Sequence, residues 1–245
     1  MRNLLPVLPL VPLVGLGACG AADSQPAPVA IGSPAHPVVI ELFQSQGCSS
    51  CPPANANVNA MAQTRPGVLA LSFAVTYWDR LGWKDRFASP AFTARQWAYA
   101  RTAGRAQVAT PQVIVNGVGV VNGGDRGRLD QAIAAAGPAK GGPAIEPAGA
   151  GIHLGAGATA RPAARPAIVW LVRYDPAVRA VPIRAGENEG KTLPHRNIVR
   201  QLVQLGDWRG TAADYALPAP TEPRLATAVL VQQGQGGPII AARKL

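Results

Sequence analysis

Six consecutive residues constrain this chain more than any others. Cys48-Ser49-Ser50-Cys51-Pro52-Pro53 follows the apolar run Val38–Phe43 and precedes Ala54–Gln63, in which Val58 and Met61 have helical spacing. A short apolar run rich in β-branched residues predicts a buried strand. Neither proline has an N–H. Both therefore fit only at or before the first turn of a helix, where those donors lack partners anyway. The helix starts close to Cys51, and Cys48 lies at or just ahead of its positive end. A thiolate there is stabilised by free N–H groups and the helix dipole. The spacing makes Cys48 the candidate nucleophile and Cys51 the candidate resolving thiol, able to release a partner from a mixed disulfide. Two other readings of the pair stay open: a static disulfide that staples the helix start, and a metal site. Zinc needs four ligands and a second CxxC is absent. Copper(I) on two thiolates and one distant histidine, from His36, His153 or His195, remains in play.

The pattern around the pair predicts an α/β domain over residues 37–137. Val68–Val75 reads as a second buried strand. Ser89-Pro90 opens a helix to about Thr102, with serine as N-cap and proline in the first turn. Thr110-Pro111 precedes a strand, Gln112–Val115. Asn116-Gly117 is a hairpin signal and Val118–Val121 the return strand. Arg126–Ala136 is a last helix, stopped by Gly137-Pro138. The order β-α-β-α-β-β-α, with cysteines between the first strand and first helix, is that of a thioredoxin-like fold with helices on both sheet faces. In that fold a proline at the position of Pro111 is expected cis and beside the cysteines, leaving the backbone of Thr110 free to pair with an extended partner segment. Glu41, on the first strand, is either a proton acceptor for Cys51 or a structural hydrogen-bonding group.

The loop Thr76–Ser89 carries Tyr77-Trp78-Asp79-Arg80-Leu81-Gly82-Trp83-Lys84-Asp85. Loops at the C-terminal ends of strands carry function in open α/β sheets. Trp78, Asp79, Trp83 and Lys84 are thus candidates for a substrate wall. Alternatively, the tryptophans clamp the loop onto the domain or dock the C-terminal part of the chain. Residues 138–245 turn Gly-, Ala- and Pro-rich and then show strand signals at Gly151–Leu154, Ala167–Tyr174, Ala180–Arg184, Leu193–Leu205, Thr227–Gln232 and Pro238–Ala242. Their spacing predicts a separate all-β, sandwich-like module.

The N-terminus reads as a leader. Arg2 precedes an apolar stretch too short and proline-broken to span a bilayer stably. Leu16-Gly17-Ala18-Cys19 resembles a lipobox, so residues 1–19 are expected to be a lipoprotein leader, Cys19 the lipidated residue, and 20–36 a tether. Cleavage near Ala22 is the other reading. Both predict export, and both leave Cys48 and Cys51 as the mature thiols of an oxidising compartment. The formal net charge of +10 is carried by scattered arginines, with no basic run and no aromatic-interleaved stripe, which argues against a nucleic-acid footprint.

The segments ELFQSQGCSSCPPA, LSFAVTYWDRLGWKDRFASPAFTARQWAYA and TPQVIVNG closely resemble the bacterial family catalogued as domain of unknown function 1223. RAGENEGKTLPHRNIVRQLVQLGDW resembles that family's C-terminal segment. The resemblance runs from about Val38 to the C-terminus. It implies an exported, thioredoxin-like protein and no particular reaction. Against true thioredoxins, Gly47 replaces the tryptophan before the first cysteine, Ser49-Ser50 replaces Gly-Pro, and the Trp loop and β module are additions. The expected function is an exported thiol–disulfide oxidoreductase with no cofactor. It would act on thiols or disulfides of exported proteins, beside a membrane reached through Cys19. An envelope binding or assembly protein with a static disulfide, and a copper(I) carrier, are the alternatives.

Overall fold

The computed structural model describes residues 31–157 and 166–245. The leader, Cys19 and most of the tether lie outside the described residues. Strand β1 (Val38–Gln44) is buried along its whole length and pairs in parallel with β2 (Val68–Ala74). Between them runs helix α1 (Pro52–Thr64), with Cys51 as N-cap and both prolines in the first turn. Helix α2 (Pro90–Thr102) follows, its Ser89 side chain accepting from the Ala91 N–H. Strands β3 (Gln112–Val115) and β4 (Gly119–Val121) form a hairpin, and β3 pairs antiparallel with β1. Helix α3 (Arg126–Ala136) is capped by Asp125 and ends at Gly137, whose φ of 58° suits a residue without Cβ.

The two faces of β1 explain its continuous apolar sequence. Val38, Ile40 and Leu42 pack with Ala54, Val58 and Met61 of α1 and with Leu129 and Ile133 of α3. Val39 and Phe43 face the other way, with Phe92 and Tyr99 of α2. A strand covered on both faces has no polar alternation to show.

The second half of the chain differs from expectation. Its strands are β5 (Ile145–Ala148), β6 (Gly151–Leu154), β7 (Ala167–Asp175), β8 (Arg179–Pro182), β9 (Thr192–His195), β10 (Ile198–Trp208), β11 (Ala213–Ala216), β12 (Ala226–Gln233) and β13 (Ile239–Lys244). The expected separate sandwich is not formed. β7, β10, β12 and β13 instead extend the first sheet, in the order β13-β12-β7-β10-β2-β1-β3-β4. The junction is β10 against β2, where Ile198 pairs with Ser72 and the Asn197 side chain donates to the Ala70 carbonyl. Left alone, β2 would be an edge strand with free N–H and C=O groups, and the start of β10 occupies that edge at Ala70 and Ser72. The core is shared as well. Phe43, Leu71 and Phe92 pack in one cluster with Val172, Val199, Leu230 and Ile239.

The run expected as one strand from Leu193 to Leu205 is two, β9 and β10. The chain turns between them at Asn197, which takes a left-handed φ of 50°. β5, β6 and β11 form a small sheet whose Ile145, Ile152 and Leu154 cover Val169, Val229 and Val231. The β8–β9 hairpin stands apart from both sheets and packs Val181, Ile183 and Leu193 against Trp83 and Phe87. It is this hairpin that reaches the cysteines.

Candidate active site at the Cys48–Cys51 disulfide

Cys48 and Cys51 are disulfide-bonded, with Cα atoms 5.4 Å apart, and both residues have 0% exposure. The turn that joins them is closed by the Cys51 N–H donating to the Cys48 carbonyl at 3.2 Å. The Cys51 carbonyl then accepts from Asn55 N at 3.0 Å, the first bond of α1. Cys48 Sγ lies 3.4 Å from Ser50 Oγ, and Ser50 Oγ donates to the Thr110 carbonyl at 3.5 Å. The Thr110–Pro111 peptide is cis. The start of β3 therefore stands beside the cysteine loop although it is 60 residues away in sequence.

The Trp loop closes a second side. Trp78 Nε1 donates to Thr110 Oγ1 at 2.7 Å, and Trp83 Nε1 donates to Gln46 Oε1 at 2.9 Å. Asp79 Oδ1 accepts from the Asp85 N–H. Trp78 is thus tied to Thr110 and Trp83 to Gln46, both tryptophans clamping the loop through their indole N–H groups, while Asp79 bonds within the Trp loop. Lys84 is exposed, and among the described residues no hydrogen bond ties it to this network. The residue that anchors the loop was not anticipated. Asp85, 2% exposed, accepts from Gln46 N and Phe87 N, each at 2.9 Å. Burial pushes its pKa up to about 6, against the lowering effect of those two N–H groups and with a further rise from the Asp79 charge. Its sequence signal was its place as the last acid of the Trp loop.

A third side comes from the tip of the β8–β9 hairpin. Asn188 is fully buried and directs both amide hydrogens to the cysteine loop, donating to the Gln46 and Cys48 carbonyls at 2.9 Å each. Lys191 Nζ donates to Asn188 Oδ1 and fixes the amide's orientation. Glu187 Oε2 accepts from the Ser49 N–H at 3.0 Å, and the Ser49 side chain together with that N–H holds its carboxyl below the usual range. Gly186 and Gly190, at φ of 77° and 79°, bound the tip and permit its tight turn. These residues form a clasp over positions 46–49. Nothing near the cysteines in sequence marks them, and the only local signal is the Gly-Glu-Asn-Glu-Gly turn itself.

The family described as Protein of unknown function (DUF1223) matches residues 39–232. The chain belongs to that family. The match runs from β1 into β12, so the DUF1223 unit includes the clasp and strands β7 and β10 of the extended sheet as well as the cysteine-bearing half. Protein AGR_C_4864 from Agrobacterium tumefaciens, a crystal structure, is similar at 32% identity and a TM-score of 0.68, over 85% of this chain and 93% of that one. HBP35 of Porphyromonas gingivalis shares the fold at 13% identity and a TM-score of 0.51, over 87% of this chain and 76% of that one. No curated protein matches the chain.

One expected site residue of this DUF1223 protein is elsewhere. Glu41 is not a proton acceptor for Cys51. It has the parity of Val39 and Phe43 on β1 and points to the α2 face, whereas α1 and its cysteines lie on the Ile40 and Leu42 face. There Arg95 Nε and Nη2 donate to its two oxygens at 2.7 and 3.2 Å, and the Tyr99 hydroxyl donates to Oε2. Arg95 and Tyr99 also bond Gln232 of β12. This is a buried ion pair that ties β1, α2 and β12 together. The histidines are also dispersed. His153 is hydrogen-bonded to Asp214 on the small sheet, and His195 is buried against Phe87, with neither ring nitrogen hydrogen-bonded among the described residues. Burial lowers the His195 pKa to about 4, so the ring is neutral. Among the described residues no group of three or more His, Cys, Asp or Glu comes together.

Proposed function

We propose that this chain is an exported thiol–disulfide oxidoreductase, held at a membrane through a lipid on Cys19 and acting on thiols or disulfides of other exported proteins. We read residues 37–137 as a thioredoxin-like domain. Support comes from the order β1-α1-β2-α2-β3-β4-α3, with strands in the spatial order β2-β1-β3-β4. The observation that carries the reading is the juxtaposition of Thr110 at the start of β3 with a cysteine pair whose second member caps α1.

The chemistry follows from that placement. A partner thiolate attacks Cys48 Sγ, the Cys48–Cys51 bond breaks, and its electron pair leaves on Cys51 Sγ, which takes a proton. A second partner thiolate attacks the partner's sulfur in the mixed disulfide, and Cys48 leaves as the thiolate. Two electrons pass from the partner's dithiol to the pair. In the reverse direction Cys48 attacks and Cys51 resolves. The positive end of the α1 dipole stabilises the Cys48 thiolate in either direction. Because both cysteines are buried, attack follows withdrawal of the clasp, which also uncovers the Gln46 and Cys48 carbonyls.

That same burial favours a second reading, a static disulfide in an envelope binding or assembly protein. Thiol titration separates the two. Redox work requires a Cys48 pKa below the free value of about 8.5 and mixed disulfides trapped by Cys51→Ser. A static staple gives an ordinary or raised pKa and traps nothing.

A further inference from the structure

Away from the cysteines, positive charge gathers at the root of the β8–β9 hairpin. A concave groove of about 640 Å³ is lined by Arg86, Arg179, Arg200 and Arg224, with Asp175 and Phe87 among its other residues. The guanidinium carbons of Arg86 and Arg200 stand 6.0 and 5.4 Å from the centre of the Phe87 ring, which draws the two cations together.

The four guanidiniums are unequally committed. Asp175 Oδ2 accepts from Arg179 Nε at 2.8 Å and Arg224 Nε at 3.3 Å. Burial works against the charge on Asp175, but the Arg179 hydrogen bond and the others it receives hold its pKa below the ordinary value, so it is ionised. Glu222 pairs with Arg224 at 2.5 Å and lies 3.7 Å from Arg200. Among the described residues no carboxylate pairs with Arg86. Four positive charges against two negative ones leave a surplus of two in a concave wall, where the field is focused. Guanidinium forks match carboxylate and phosphate oxygens. A monocarboxylate would leave half of the surplus unmet. A phosphate monoester, at about −1.5 to −2 near neutral pH, meets it.

We propose that this groove binds a phosphate monoester or inorganic phosphate, with Arg86 and Arg200 taking its oxygens and Arg179 and Arg224, fixed by Asp175, forming the wall. The assignment does not depend on the cysteine chemistry. The phosphate is that of a small soluble anion or of a lipid headgroup, and the experiment separates these sources.

The test uses the purified chain carrying Cys19→Ser, so that no attached lipid enters the comparison. Inorganic phosphate is titrated calorimetrically, with acetate as competitor. Vesicles of phosphatidylcholine with and without phosphatidic acid are used for co-sedimentation. The expected result is one saturable phosphate site, weakened at least tenfold in Arg86→Gln/Arg200→Gln and not displaced by acetate. Arg209→Gln, beyond the opposite end of β10, should leave it within twofold. If instead only the phosphatidic acid vesicles bind, and only the groove variant loses that binding, the phosphate belongs to a lipid. Binding of neither probe, equal loss in all variants, or displacement by acetate overturns the proposal.

Discussion

Asn188 and Cys48 are 140 residues apart in sequence, and the Asn188 amide donates to the Cys48 carbonyl at 2.9 Å. The same amide donates to the Gln46 carbonyl. Two buried hydrogen bonds from one side chain therefore hold the loop that carries the nucleophile, and their donor comes from a hairpin outside the cysteine-bearing half.

Asn188→Ala should make the disulfide easier to reach. Removing the amide leaves the Gln46 carbonyl unsatisfied, at about 1–3 kcal/mol, and takes one of two hydrogen bonds from the Cys48 carbonyl, which keeps the Cys51 N–H. If clasp opening limits attack, reduction by dithiothreitol, followed by thiol labelling, should speed up by about tenfold or more. An unchanged rate in a less stable protein would show that the clasp does not gate the pair.

Glu187→Gln should lower the thiol pKa of Cys48 in the reduced protein. The Glu187 carboxylate occupies the Ser49 N–H, between the cysteines, and a nearby negative charge disfavours a second one. The pH dependence of iodoacetamide alkylation reads the shift. A rise, or no change, would contradict this placement of the charge.

Asp85 and His195 should oppose each other in acid. Asp85 has a folded pKa of about 6, above the ordinary carboxylate value of 3.8, so its contribution to stability is present at low pH and is lost as pH rises through 6. His195 has a folded pKa of about 4, below 6.5, so its contribution is present above 6.5 and is lost as pH falls through 4. Each shift corresponds to about 3 kcal/mol at most. Relative to the wild type, Asp85→Asn should gain stability with rising pH between about 4 and 6, and His195→Gln should lose it. Urea denaturation across that window measures both slopes, and slopes of the same sign would contradict the account.

Glu41→Gln should destabilise the fold without touching the thiols. It breaks a buried ion pair from one side, which costs about 3–5 kcal/mol. The Cys48 and Cys51 pKa values should stay as in the wild type. A shift in either would return Glu41 to the cysteine site.

Local rules are enough to place the cysteine loop. Pro52 and Pro53 placed the start of α1 at Cys51, and Thr110-Pro111 opened the strand beside it. Glu41 failed on parity. Side chains alternate along a strand, and its neighbours Ile40 and Leu42 are those that face α1. Nearness in sequence to Cys48 is not nearness in space. Asn188, Glu187 and the pairing of β10 with β2 are contacts across more than a hundred residues, and no periodicity reports which hairpin tip reaches which loop. The strand signals of the second half were sound in kind. Their sheet is set by the edge of β2, which needs a partner, and composition does not say which strand supplies it.

The measurement that tests the central claim most directly is the reduction potential of Cys48–Cys51, by equilibration against glutathione buffers. A pair that exchanges electrons with exported proteins should fall in the range of known oxidoreductases, roughly −120 to −270 mV. A value below about −300 mV, typical of structural disulfides, would contradict it.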